Sequence, residues 1–139
     1  MKIDAIMNGY VIDHITAGNG MKIYNLLGLD KLECSIAIIK NVPSGKMSKK
    51  DIIKIDAEIE LNMDILGFVD PGITINVIKN GIRTEKKFPA LPETLTNVIK
   101  CKNPRCISGT EQELPHIFKL TDKETRTYRC IYCEVKGKR

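Results

Sequence analysis

Four cysteines near the end of the chain carry the most specific chemistry in the sequence. Cys101 and Cys106 are separated by four residues, Cys130 and Cys133 by two, and the two pairs by 23. Each pair makes a short chelating loop, and two such loops close a tetrahedral four-cysteine site for a metal ion. With four thiolates the shell is full, so the ion is structural, with no position left for water or substrate. Zinc is the expected occupant, one per chain, although iron suits the same thiolates. Four thiolates on a divalent ion leave a dianionic centre. Lys100, Lys102, Arg105 and Arg129 stand beside the ligands in sequence and would offset it. His116 is a further potential ligand, but four cysteines suffice, and it reads as a loop histidine. Cys34 stands alone in a strand-like stretch and reads as a small buried residue.

A second candidate is an anion site. Asp13 and His14 end the first strand-like run, Lys54 lies on the polar side of an alternating run, and Lys86 lies in the last extended run before a proline-rich segment. If these elements neighbour one another, two lysines and a histidine could hold a polyanion by charge-assisted hydrogen bonds while the aspartate takes hydroxyl protons. Spacing alone equally allows solvated lysines on a polar strand face. No glycine-rich phosphate loop, G-x-S-x-G elbow or H-E-x-x-H motif is present. The chain therefore reads as a binding or regulatory module rather than an enzyme.

The elements that must position these residues follow from periodicity. From Asp51 to Leu61, apolar Ile53, Ile55, Ala57, Ile59 and Leu61 alternate with a mostly charged set, the pattern of a half-buried strand. VIDHI reads as a strand, and so does LECSIAIIK over residues 32–40, with NVPSGK as a loop after it. Met21, Tyr24, Leu26 and Leu27 suggest an amphipathic helix ended by Gly28, and residues 62–69 a second helix stopped by Asp70-Pro71-Gly72. Asn80-Gly81 between ITINVIK and IRTEKKF is a strong hairpin signal. The order strand, helix, strand, strand, helix, strand, strand predicts an α+β fold: a ferredoxin-like antiparallel sheet with two helices on one face. FPALPE is a rigid connector, and the last residues read as a small all-β metal-binding domain. The expected division is 1–92 and 93–139.

Composition agrees with two small modules. Hydrophobic residues make up 42% of 139, yet there is no Trp, so Ile, Leu and Val must build the cores. Residues 1–100 hold 13 Lys/Arg against 12 Asp/Glu, whereas residues 101–139 hold 9 against 5. The basic excess is confined to the cysteine-bearing segment, is mixed with acids and has few interleaved aromatics, which argues against nucleic acid as a partner. No apolar run approaches the ~20 residues of a membrane helix, and no secretion signal is evident. A cytoplasmic protein is expected.

Together, GYVIDHI, NVPSGKMSKKDIIKI, FPALPETLTNVIKC and C-x4-C-x23-C-x2-C resemble the regulatory chain of aspartate carbamoyltransferase over nearly the whole length. The resemblance implies a chain with no catalytic activity of its own, which binds nucleotide effectors through its N-terminal domain and docks on catalytic chains through a zinc domain. ATP activates and CTP inhibits in that family, often with UTP as a further inhibitor, and regulatory chains associate as dimers. Carried over residue by residue, the resemblance puts Asp13 and Lys54 on the ribose, Lys86 and His14 on the triphosphate, and the backbone near Ile6 and the Gly81 to Arg83 turn on the base. It adds Lys50 as a further lysine near the site. Gly81 and Arg83 are departures from a member of the family that has an aromatic and an apolar residue at these positions. On the metal-pinned loops, Asn103 and Glu134 are the expected contacts to the catalytic chain.

Overall fold

The alternation of buried isoleucines with charged residues produces a sheet with one covered face. The computed structural model describes residues 6–45, 47–101, 103, 105–107 and 114–137. It divides into two compact units, Met1–Ala90 and Leu91–Arg139. In the first, strands β1 (Gly9–Thr16), β2 (Ile36–Ser44), β3 (Ser48–Ile55), β4 (Thr74–Lys79) and β5 (Ile82–Lys87) pair antiparallel in the order β2-β3-β1-β4-β5. Helices α1 (Gly20–Leu26) and α2 (Met63–Val69) join β1 to β2 and β3 to β4. This is the split β-α-β arrangement with β5 added as an outer strand. The Asn80-Gly81 turn that adds it has φ of 54° and 77°, the two positive values a type I′ hairpin requires.

Ile12, Ile15, Ile53, Ile55 and Ile75 are fully buried on the helix-covered face, together with Ile23 of α1 and Leu66 and Phe68 of α2. Asn62 caps α2 by accepting the backbone N–H groups of Asp64 and Ile65, and Gly28, at φ 67°, follows the end of α1. Several details differ from the sequence expectation. The buried residues of α1 are Gly20 and Ile23, while Met21 is 41% exposed, because a seven-residue helix offers the sheet one narrow stripe. β3 stops at Ile55 although the alternation runs on to Leu61; its partners β1 and β2 run out there, at Tyr10 and Ile36. β2 begins later than expected and continues through Asn41 and Pro43 to Ser44, pairing with the start of β3. Cys34 therefore precedes the strand and is only half-buried.

Asp51 occupies a covered-face position in β3 and has no exposed surface. Its carboxylate accepts the N–H groups of Gly18, Gly20 and Asn41, each at 3.0 Å. It thus fixes the entry to α1 and the middle of β2 at once. A Cβ on Gly20 would lie 2.9 Å from Asp51 Oδ2, so this approach needs glycine.

In the second unit, β6 (Thr94–Thr96), β7 (Ile117–Asp122) and β8 (Thr127–Cys130) form a sheet in sequence order around Leu95, Phe118 and Tyr128. No described helix is long and apolar enough to cross a membrane.

Candidate functional site

The second sheet delivers the cysteines. Cys101 and Cys106 lie in the connection from β6 to β7, Cys130 ends β8, and Cys133 lies in the turn beyond. The loops interleave: Cys101 Sγ is 3.5 Å from Cys133 Sγ, and Cys106 Sγ is 3.6 Å from Cys130 Sγ. All four sulfurs lie within 4.8 Å of one another. A tetrahedron with metal–sulfur bonds of ~2.3 Å has edges of about 3.8 Å, so the donor set fits one metal ion. Backbone bonds hold the loops in place. Cys106 N–H donates to Asn103 O, Cys130 N–H to Val135 O, and Glu134 N–H to Cys130 O.

Burial pushes the Cys101 thiol up to about 12; the Asn103 backbone opposes this, and the three neighbouring thiols add to it. A metal must therefore displace protons here, and its own charge supplies the compensation that the protein withholds. His116 stays out of the donor cluster. Its Nδ1 accepts the Cys101 N–H at 3.4 Å, and its own N–H donates to Asn97 Oδ1, so it orients a ligand loop. Of the expected countercharges, the Arg129 guanidinium donates to Glu134 O, Arg105 N–H donates to Asn103 Oδ1, and Lys102 lies outside the described residues.

The open face of the first sheet gathers the other candidates. Cross-strand pairing places Lys54 opposite Val11, Val11 opposite Asn76, and Asn76 opposite Lys86. The two lysines therefore share one row across the sheet, three strands apart, or about 14 Å at ~4.8 Å per strand. Asp13, two residues along β1 from Val11, is on the same face, and its Oδ1 lies 2.9 Å from Lys50 Nζ. Burial works to raise the Asp13 carboxyl, but the Lys50 ammonium and the His14 backbone N–H outweigh it and hold it below the ordinary carboxylate value.

Bulges set this geometry. β1 does not end at Asp13 and His14 as expected; its register shifts between Ile12 and Ile15, with His14 at φ 59°, which lets both isoleucines face the core while Asp13 faces out. A second shift in β4–β5 pairing sets Arg83 opposite Ile78 and Glu85 opposite Val77. Sequence reasoning missed Asn76. Its Nδ2 donates to Val11 O, leaving a buried Oδ1 without a partner, and His14 Nδ1 is in the same condition. An Asn in the middle of the apolar run ITINVIK was the available signal. Ile6 is half-buried, and the neighbouring Met7 O accepts the Gly81 N–H.

Two family models cover the chain. Residues 1–89 match the allosteric domain of the aspartate carbamoyltransferase regulatory chain, and residues 93–139 match its metal binding domain. This chain belongs to that family. The regulatory chain of Clostridium botulinum strain Hall is 51% identical over 134 residues, covering 96% of this chain and 92% of the relative. That of Clostridium tetani is 49% identical over 135 residues, covering 96% and 94%, and that of Bifidobacterium longum is 39% identical over 138 residues, covering 99% of each. As a member of the family the chain is a non-catalytic regulatory subunit, with an allosteric and a metal-binding domain, that associates with the catalytic chain of aspartate carbamoyltransferase. The open sheet face lies in the allosteric domain and the four-cysteine centre in the metal-binding domain.

Proposed function

We propose that the open face of the five-stranded sheet binds nucleoside triphosphates, ATP and CTP with UTP as a third, and that this binding tunes pyrimidine synthesis in the cytoplasm. The observation that carries the reading is the Lys54–Val11–Asn76–Lys86 row with Asp13 beside it. Asp13 and Lys54 take the ribose hydroxyls, Lys86 and His14 the phosphates, and the backbone near Ile6 and Gly81 the base. Lys50 holds Asp13 ionised for this task. The buried acceptor of Asn76 and the free Nδ1 of His14 are polar groups that a ligand would satisfy. Zinc is the metal that four soft thiolates in a tetrahedral site favour, and its role is to fold the domain.

Regulatory chains pair through β2. Its apolar residues Ile36, Ala37, Ile38 and Ile39 form an uncovered edge, whereas β5 at the other edge is wholly exposed and carries Arg83, Glu85, Lys86 and Lys87, which discourage pairing. Catalytic chains dock on the cysteine loops, where Ile107, Ile131, Tyr132 and Val135 are exposed beside the ligands. Glu134 is exposed among them and held at φ 65°, so its carboxylate is presented from a rigid turn, with Asn103 on the facing loop.

An effector shifts the catalytic chains only by as much as it binds one quaternary state better than the other. The test is to mix the zinc-loaded chain with catalytic chains of the same source and follow aspartate saturation with and without ATP and CTP. The unaltered chain is expected to assemble and to shift the curve, and the Lys54→Ala/Lys86→Ala double variant to assemble without shifting it. A nucleotide response that survives in the double variant would overturn the proposed face.

A further inference from the structure

We infer that Arg83 selects the base of the bound nucleotide, favouring cytosine and guanine over adenine; this rests on the nucleotide reading of the open sheet face. The open face is chemically divided along its strands. Toward the C-terminal end of β1 it carries Asp13, Lys50, Lys54 and Lys86. In the other direction the next row is Gly9, Ile78 and Arg83, with the Gly81 turn beyond it. Val11 and Ile78, both half-buried, make an apolar floor suited to the flat face of a base and useless to a phosphate, while Gly9 beside them is buried against the Ile55–Ala57 backbone. Among the described residues of β1, β4 and β5, Arg83 is the charged side chain at that end of the open face.

A bulge puts it there. Arg83 and Lys86 are three residues apart, so strict alternation would send them to opposite faces. The register shift at Val77/Ile78 leaves one extra residue in β5, with Thr84 Oγ1 donating to Val77 O, and returns Arg83 to the face of Lys86. The same shift leaves Glu85 opposite Val77 on the other face, away from Arg83. Arg83 is exposed, and no salt bridge is found for it among the described residues.

A guanidinium presents two parallel N–H donors in a rigid fork, which matches two adjacent acceptors. Guanine offers O6 and N7, and cytosine offers O2 and N3. Adenine sets an amino donor beside N7, and in uracil a donor N3–H separates the carbonyls, so neither accepts the fork. Gly81 itself adds no side chain to the neighbouring turn, where the Met7 sulfur comes within 3.6 Å of the position a Cβ would take, so Arg83 supplies the forked donor that can read the edge of the base.

The experiment is calorimetric titration of the full, zinc-loaded chain with CTP, GTP, UTP and ATP at fixed salt and magnesium, for the unaltered protein and for Arg83→Met and Arg83→Lys. Melting temperatures check folding, which an exposed edge position should leave unchanged. The expected result is that Arg83→Met weakens CTP and GTP by about tenfold, the scale of one bidentate contact to a base, leaves ATP unchanged, and is not rescued for CTP by Arg83→Lys. Equal weakening of all four, restored by lysine, would make Arg83 a point charge on the phosphates and overturn the inference while leaving the nucleotide site intact. Absence of binding by the unaltered chain would remove the nucleotide reading itself, and the inference with it.

Discussion

The two units solve the same problem, holding a binding surface still, with different physics. The first buries five fully enclosed sheet isoleucines under two short helices and can afford bulges at Ile12/Ile15, Ile39/Val42 and Val77/Ile78 because its core is continuous beneath them. The second has three short strands around Leu95, Phe118 and Tyr128. Its cysteine loops converge with four sulfurs within 4.8 Å of one another. Binding functions in the first unit should therefore be tunable residue by residue, whereas the second is expected to fold or fail as a whole with its metal.

Removing the metal is expected to have the largest effect. Structural zinc contributes about 10–16 kcal/mol of apparent free energy in small metal-dependent folds, more than a unit of this size holds in net stability. Chelation, or Cys130→Ser, is expected to abolish amide protection in β7 and β8 and binding to catalytic chains, while β1, β3 and β4 keep theirs. Hydrogen exchange read strand by strand checks this. Retained protection in the second sheet without metal would show that its apolar core suffices.

A smaller effect, confined to the first unit, is expected at Asp51. Asp51→Ala leaves three backbone N–H groups, of Gly18, Gly20 and Asn41, without their buried acceptor, at a cost of about 3 kcal/mol or more. Urea unfolding of the zinc-loaded chain should show the first transition moving to lower denaturant and the second staying in place. Movement of both together would mean that the units do not unfold independently.

How far the sequence could be read follows the same divide. The order of strands and helices in the first unit, and the hairpin at Asn80-Gly81, were legible because alternation and turn chemistry are local. The four cysteines were legible because ligand spacing is a covalent constraint. The bulges were not, since one extra residue shows only against a partner strand; the three-residue spacing of Ile12 and Ile15 inside a strand was the one local trace. Asp51 read as the charged start of an alternating run, although it shares the covered face with Ile53 and Ile55, because burial of a carboxylate depends on three N–H groups brought from elsewhere in the chain. Spacing permitted the meeting of Lys54 and Lys86 in one row but did not require it; the pairing of β3, β1, β4 and β5 does.

The smallest expected effect separates the units by acid. In the second, protons compete with the metal for thiolates, so acid releases the ion and the loss is large. In the first, the group to watch is Asp13, whose carboxyl lies below its ordinary value because Lys50 and the His14 N–H outweigh the opposing effect of burial. A depressed carboxyl contributes stability that is fully present above its unfolded-state value and disappears as pH falls through the folded-state value. The contribution should therefore be constant from neutral pH down to about 4 and be lost below that. The pair is partly exposed, with 16% of the Lys50 and 23% of the Asp13 side chain accessible, so solvent screening limits it to about 0.5 kcal/mol. Asp13→Asn keeps an acceptor for the His14 N–H but removes the charge. Amide exchange in β1 and β3 between pH 5 and pH 3 should then show an acid-dependent loss in the unaltered chain that is smaller in the variant. An equal loss in both would mean that another carboxylate, with Asp51 and Asp70 the buried ones, governs the acid response of the sheet.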